Sequence, residues 1–162
     1  ILLGKLAAVF TMTVIPLVLT FIGFWASGSV LPSSITDGAV LPFGVVIGAI
    51  LVGLPLALFV NVILMIVSIR TKAFKDAQAA LSPIALGVMA PAMFAAFLPP
   101  TNSLAFLIPI YGASAVVSSM ASGGIMPEHA ILFSTIGSLT AAAVALAIAM
   151  KLFNRERILY KM

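Results

Sequence analysis

From Pro42 to Ile69 the chain runs without one ionisable side chain, and this stretch more than any other feature limits what the protein can fold into. A helix needs about 20 apolar residues to cross the hydrocarbon of a bilayer. The segment is therefore long enough to span with some tilt, and Pro55 and Asn61 within it mark places for a kink and for a polar contact. Three further apolar runs obey the same rule, at about 5–26, 80–98 and 130–150. The first holds Pro16 near its middle and Trp25 at the position of an interfacial aromatic, and the third run of the chain holds Pro83 and Pro91. Soluble domains carry about a quarter charged residues, whereas here 7% are charged, 63% are hydrophobic and the mean hydropathy is +1.30. The expected class is an all-α integral membrane protein, one transmembrane domain over residues 1–162 with no sizeable aqueous part.

The connecting segments differ in kind. Residues 27–41 are rich in Gly, Ser, Pro and Thr around the single charge of Asp37 and predict a loop, and Pro99-Pro100-Thr101-Asn102 is a turn signal. Residues 104–127 are apolar but interrupted by Pro109, Gly112, Ser114, Ser118 and Ser119. Gly44, Gly48 and Gly53 put small residues on the second run, where another helix can pack closely.

The basic residues decide the topology. There are eight Lys and Arg against four Asp and Glu, and cytoplasmic loops of membrane proteins collect the positive charges. With Lys5 inside, two spans return the chain to put Arg70, Lys72 and Lys75 inside, and the third leads out again. If residues 104–127 crossed fully, the last span would deliver Lys151, Arg155, Arg157 and Lys161 to the outside. If that segment dips in from the outer side and returns, all the basic residues are cytoplasmic. The reading is therefore four transmembrane helices plus a re-entrant or outer helical hairpin before the last span, in the plasma membrane, with both termini cytoplasmic. Irregular backbone at membrane depth is tolerated only where protein or a water-filled cavity covers it, so the hairpin is expected to sit against the bundle.

Few residues offer chemistry. Glu128 and His129 are adjacent, but one imidazole and one carboxylate fall short of the three protein ligands of a catalytic zinc site. Ser114, Ser118 and Ser119 lack a histidine at matching depth, which an intramembrane serine protease would need. No charged residue lies mid-span, where it would mark an ion or proton relay. Asn61 is the one strongly polar side chain deep in a long span, suited to an interhelical hydrogen bond or to lining a path. There is no phosphate-cradling GxxxxGK[ST] loop and no cysteine, so neither nucleotide binding of the Walker kind, a thiolate metal site nor a disulfide is expected. The net charge of +4 is accounted for by span-flanking residues rather than by nucleic acid.

Several short strings occur in a telling order. They are Leu3-Gly4-Lys5-Leu6 at the start, Lys75-Asp76-Ala77-Gln78 after the second span, Ile108-Pro109 in the hairpin, and Phe153-Asn154-Arg155-Glu156-Arg157-Ile158-Leu159 after the last. Together they resemble the carboxy-terminal half of NatB-like ABC exporter permeases. In that family Lys-Glu-Ala-Gln stands where this chain has Asp76 in place of Glu, and an Asn follows the hairpin proline where this chain has Gly112. The resemblance implies spans three to six of a six-span permease that dimerises, holds no cofactor, and is driven by a separate cytoplasmic ABC ATPase. It implies that Arg70, Lys72, Lys75, Asp76, Arg155, Glu156 and Arg157 face that ATPase. The hairpin, with Pro109, Gly112, Ser114 and Ser118, would be an outer gate, and Asn61 a candidate for the path. Such a chain is a transport subunit and not itself an enzyme. The reading from another class is a stand-alone small channel or a membrane-assembly subunit.

Overall fold

The computed structural model describes residues 2–30, 43–71, 74–98, 100–123, 127 and 129–159. Lys72, the Asp37 loop and Glu128 lie outside the described residues, and so do the side chains of Arg155, Glu156 and Arg157, whose backbone continues the last helix. Among the described residues the structure is all helix, without strands: α1 Leu2–Val30, α2 Phe43–Arg70, α3 Phe74–Phe97, a 3-10 helix Ser103–Leu107, α4 Pro109–Ser122 and α5 Ala130–Leu159. Three helical stretches, Phe43–Arg70, Gln78–Phe97 and Ala130–Phe153, are long and apolar enough to cross a membrane, and Ala7–Gly23 within α1 is a shorter apolar stretch.

Prolines that would break a helix in water are carried inside these helices: Pro16 in α1, Pro55 in α2, Pro83 and Pro91 in α3. Each removes one backbone donor, and an apolar setting leaves the neighbouring carbonyls no better alternative than the helix. Threonine hydroxyls turn back on their own helix for the same reason. Thr11 donates to the carbonyl of Ala7 at 2.8 Å and Thr20 to that of Pro16 at 2.7 Å. The outer surface is correspondingly apolar, with Met12 77% and Phe97 78% exposed and many leucines and isoleucines beside them. Contiguous apolar surface of that kind calls for lipid or protein around it.

Two clusters give the helices their directions. Val62 of α2 packs with Ala145 and Ala149 of α5, while Val52 joins Ala130, Ala95 and the α4 residues Ala113 and Val116. Early α2 thus meets early α5 and late α2 meets late α5, so these two helices run parallel. In α1 the order is reversed: Trp25 stacks edge-on against Phe43 with ring centres 5.7 Å apart, and Thr13 meets Asn61. The pairings make α1 antiparallel to α2. Lys5 precedes Thr13 by eight residues and Arg70 follows Asn61 by nine, each a rise of about 12–14 Å. Lys5, Arg70, Lys75, Asp76 and Lys151 therefore share one end of the bundle, and Thr101 and His129 belong to the other.

The segment between α3 and α5, the expected hairpin, holds the 3-10 helix and α4. Asn102 caps the 3-10 helix, its side chain accepting from the backbone N–H of Leu104 at 3.2 Å. Phe106 is buried beneath it. The sequence reading treated Pro109 as a break within the hairpin's helical ladder; the structure places it at the first position of α4, after an extended Ile108. A first-turn N–H has no partner inside a helix, so the proline costs nothing there and its fixed φ favours the start. Gly123 ends α4 in the left-handed conformation at φ 65°, which glycine adopts without strain. With 14 residues, α4 is about 21 Å long, short of the roughly 30 Å of bilayer hydrocarbon.

A second difference concerns residues 70–78. Between apolar runs that end near 69 and start near 80, these charged residues predict a cytoplasmic loop, but α3 begins at Phe74, so Lys75, Asp76 and Gln78 are helical. Asp76 in the first turn of α3 and Arg70 in the last turn of α2 each sit at the end of the helix dipole that favours their charge.

Candidate functional site

The residues singled out from sequence separate into three groups in space. The first is a cavity of about 620 Å³ between α1, α2 and α4. Asn61, proposed for the path, and Ser114 and Ser118, assigned to the hairpin, all line it. They lie far apart in sequence and come together because α1 and α4 both pack on α2. Among the described residues α1 has its substantial packing with α2 alone. The space between α1 and α4 is thus left unfilled. Phe21, Leu17, Val52 and Leu56 are among the apolar side chains of the remaining wall, and no ionisable residue is among the lining.

Asn61 is 4% exposed and its amide donates to the Thr13 hydroxyl at 3.1 Å. The Thr13 oxygen in turn lies 2.9 Å from the carbonyl of Val9 and 3.2 Å from the Asn61 side-chain oxygen. A hydroxyl has one proton, so it serves one of these acceptors at a time. While the proton serves Val9 the Asn61 side-chain oxygen is without it, and Asn61 lines the cavity. Thr13 was missed from sequence because threonine is common in apolar helices; its signal was a hydroxyl near the middle of the first run. We expect Asn61→Leu and Thr13→Val each to cost about 0.5–1.5 kcal/mol, with a coupling of about 1 kcal/mol in the double variant, as interhelical hydrogen bonds in bilayers do. Reversible unfolding in mixed micelles measures both, and additive costs would show that the pair contributes nothing.

The second group is the base of the hairpin. Gly112 is buried, and a Cβ placed there would stand 2.8 Å from Cα of Phe106 and nearer still to its carbonyl. Gly137 of α5 stands in the same relation to Leu107. These two glycines let the 3-10 helix pass between α4 and α5 at backbone contact. No side chain fits at Gly112 without a shift of that backbone. Gly44, by contrast, faces open space, and Gly48 and Gly53 meet only the flexible side chains of Met120 and Leu17. The close backbone approach expected along the second run occurs instead at the hairpin. Pro109 lines a shallower hollow with Phe59, Leu107 and Thr140, away from Ser114 and Ser118.

The third group is the charged end, where Arg70, Lys75 and Asp76 are all exposed. At the opposite end His129 is exposed too, its ring edge-on to Phe133 with centres 6.1 Å apart. Among the described residues no three His, Cys, Asp or Glu side chains come together to hold a metal.

Ser134 and Ser138, one turn apart on α5, were not singled out from sequence. Both are fully buried, and neither hydroxyl has a hydrogen-bond partner among the described residues. With Ala130, Gly137, Ala142, Ala145 and Ala149 they form the small-residue face on which α2 and the hairpin pack. No protein-family model, no curated protein and no solved structure matches the chain.

Proposed function

We propose that this chain is the membrane-spanning permease subunit of an ATP-driven ABC exporter, paired with a second permease copy and powered by a separate cytoplasmic ATPase. The observation that carries the reading is the separation of the two ends. Exposed Arg70, Lys75 and Asp76, with Lys151 and the α5 extension, stand at one end, and the helical hairpin stands at the other. That arrangement suits a molecule that receives force at its cytoplasmic end and gates at its outer end.

In this reading α1 is a fourth span beside α2, α3 and α5, and the hairpin is re-entrant. The length of α4 favours this, being too short to cross alone. The parallel course of α2 and α5 favours it too, since both then run from outside to inside. The cavity between α1, α2 and α4 lies between the two ends, where an alternating-access path belongs.

The test is co-purification from the native membrane in mild detergent. The wild-type chain is expected to bring down a nucleotide-binding subunit in stoichiometric amount. Arg70→Ala with Lys75→Ala is expected to lower its recovery about tenfold, the equivalent of about 1.4 kcal/mol. Equal recovery from the correctly inserted variant would remove these residues from the docking surface. If only copies of this chain are recovered, the exporter reading falls and the small channel or assembly subunit takes its place.

A further inference from the structure

We propose that the cavity between α1, α2 and α4 binds one uncharged amphipathic molecule taken from the bilayer, a hydrocarbon chain carrying a hydrogen-bonding head group. The site belongs to this chain whether or not an ATPase drives it, so the inference does not rest on the exporter reading.

Volume sets the class first. At about 620 Å³ the cavity lies within the range of about 300–1,000 Å³ that small-molecule sites occupy. Charge narrows it further. An ion stripped of water in an apolar site must be paired there, and the cavity lining offers no ionisable residue. Sodium, ammonium and carboxylate ligands are thereby disfavoured. Leu17, Phe21, Val52 and Leu56 provide a wall for hydrocarbon.

The polar groups are few and convergent. Asn61 and Thr13 sit toward the charged end of the cavity, and the Asn61 carbonyl oxygen competes with the Val9 carbonyl for the single Thr13 proton. A hydroxyl or amide head group donating to Asn61 would complete that set, while Ser114 and Ser118 line the facing wall. A buried amide oxygen left short of a donor is costly. The head group thus has a reason to settle at this end, with its chain running along α1.

A second helix is the competing occupant, and the cavity's length argues against it. On α2 its lining runs from Ala49 to Leu64, a rise of about 22 Å. The two walls that would have to clasp a helix are shorter, Thr13 to Phe21 on α1 and Ala113 to Ser118 on α4, rises of about 12 and 8 Å, whereas a packed transmembrane helix needs a groove along most of the roughly 30 Å of hydrocarbon. Entry is from the side, because α1 is held mainly by α2 and Ser118 is exposed at the mouth.

The full chain in lipid nanodiscs provides the test. The probe is a monoacylglycerol with a photoreactive diazirine in its acyl chain. Two matched probes carry the same chain with a carboxylate or a trimethylammonium head. The monoacylglycerol is expected to crosslink within residues 13–21 and 113–118, to be displaced by excess unlabelled monoacylglycerol, and to label at least tenfold more than either charged probe. Ser114→Phe should reduce this labelling about tenfold by filling the cavity, and Gly87→Ala, on α3 and outside the cavity lining, should keep it. Ser118→Trp, at an exposed position, repeats the blocking test if Ser114→Phe does not yield folded protein. Asn61→Leu should erase the preference for the hydroxylated head over the corresponding methyl ether. Equal labelling by all three probes, or labelling untouched by both blocking variants, would overturn the proposal. So would crosslinks from these positions to a second copy of the chain in place of the probe.

Discussion

Gly137→Val is expected to strip the 3-10 helix from its seat on α5 and to lower stability by about 3 kcal/mol or more. The added Cβ would meet the carbonyl carbon of Leu107 at 2.7 Å, with the carbonyl oxygen closer. Overpacking against side chains costs about 1–3 kcal/mol because rotamers can yield. Here the opposing atoms are backbone, so the whole hairpin must move. Replacing glycine in a helix ordinarily gains up to about 1 kcal/mol of propensity, and the clash outweighs that gain. Gly112→Val should behave alike, through its contact with Phe106. Gly44→Val and Gly87→Val are the controls, because a Cβ at either position meets nothing within 4 Å. The thermal midpoint and the yield of monodisperse protein read the difference. Equal behaviour of Gly137→Val and Gly44→Val would mean that the hairpin is not seated on α5.

A second all-or-none contrast is expected from single-cysteine labelling, for which the chain is suited because it contains no cysteine. Lys75→Cys and Lys151→Cys should be protected in intact cells from a membrane-impermeant maleimide, and Thr101→Cys and His129→Cys should react. All four positions are exposed, so permeabilised cells should label every variant. The informative pair is Thr101 and His129, which flank the hairpin. If the segment between them crossed the bilayer, they would react from opposite sides. Reaction of both from the outside accords with helices α2 and α5 running parallel across the membrane.

Much of the helical framework was legible in the residues. The second run, expected over 42–69, is α2 at Phe43–Arg70, and the last, expected from residue 130, is α5 from Ala130. Long apolar runs are legible because a backbone without water has only its own hydrogen bonds to make, so helix follows from composition. The short motifs were less reliable guides. Pro109 reads as an interruption but starts a helix, and Lys75 and Asp76 read as loop but belong to α3. Both depend on where a helix begins, which turns on caps and single backbone donors rather than on hydropathy. Of the four expected spans, three are long and apolar enough to cross a membrane; the first, expected over about 5–26, gives among the described residues only the shorter apolar stretch Ala7–Gly23.

By itself, the sequence determined the solvent of this protein, the placing of its longest helices and the clustering of its basic residues around them, because each follows from transfer energies that act residue by residue. Tertiary structure alone decided which small residues touch. Gly112 and Gly137 carry backbone contacts, while Gly44, expected on a close-packing face, meets open space. It alone joined Asn61 to Thr13, 48 residues apart, and set Ser114 and Ser118 on the same cavity. The physical reason is that apolar helices in an apolar solvent gain little by burying one face over another. Which faces meet is settled by close packing and by the few hydrogen bonds that only a neighbouring helix can complete.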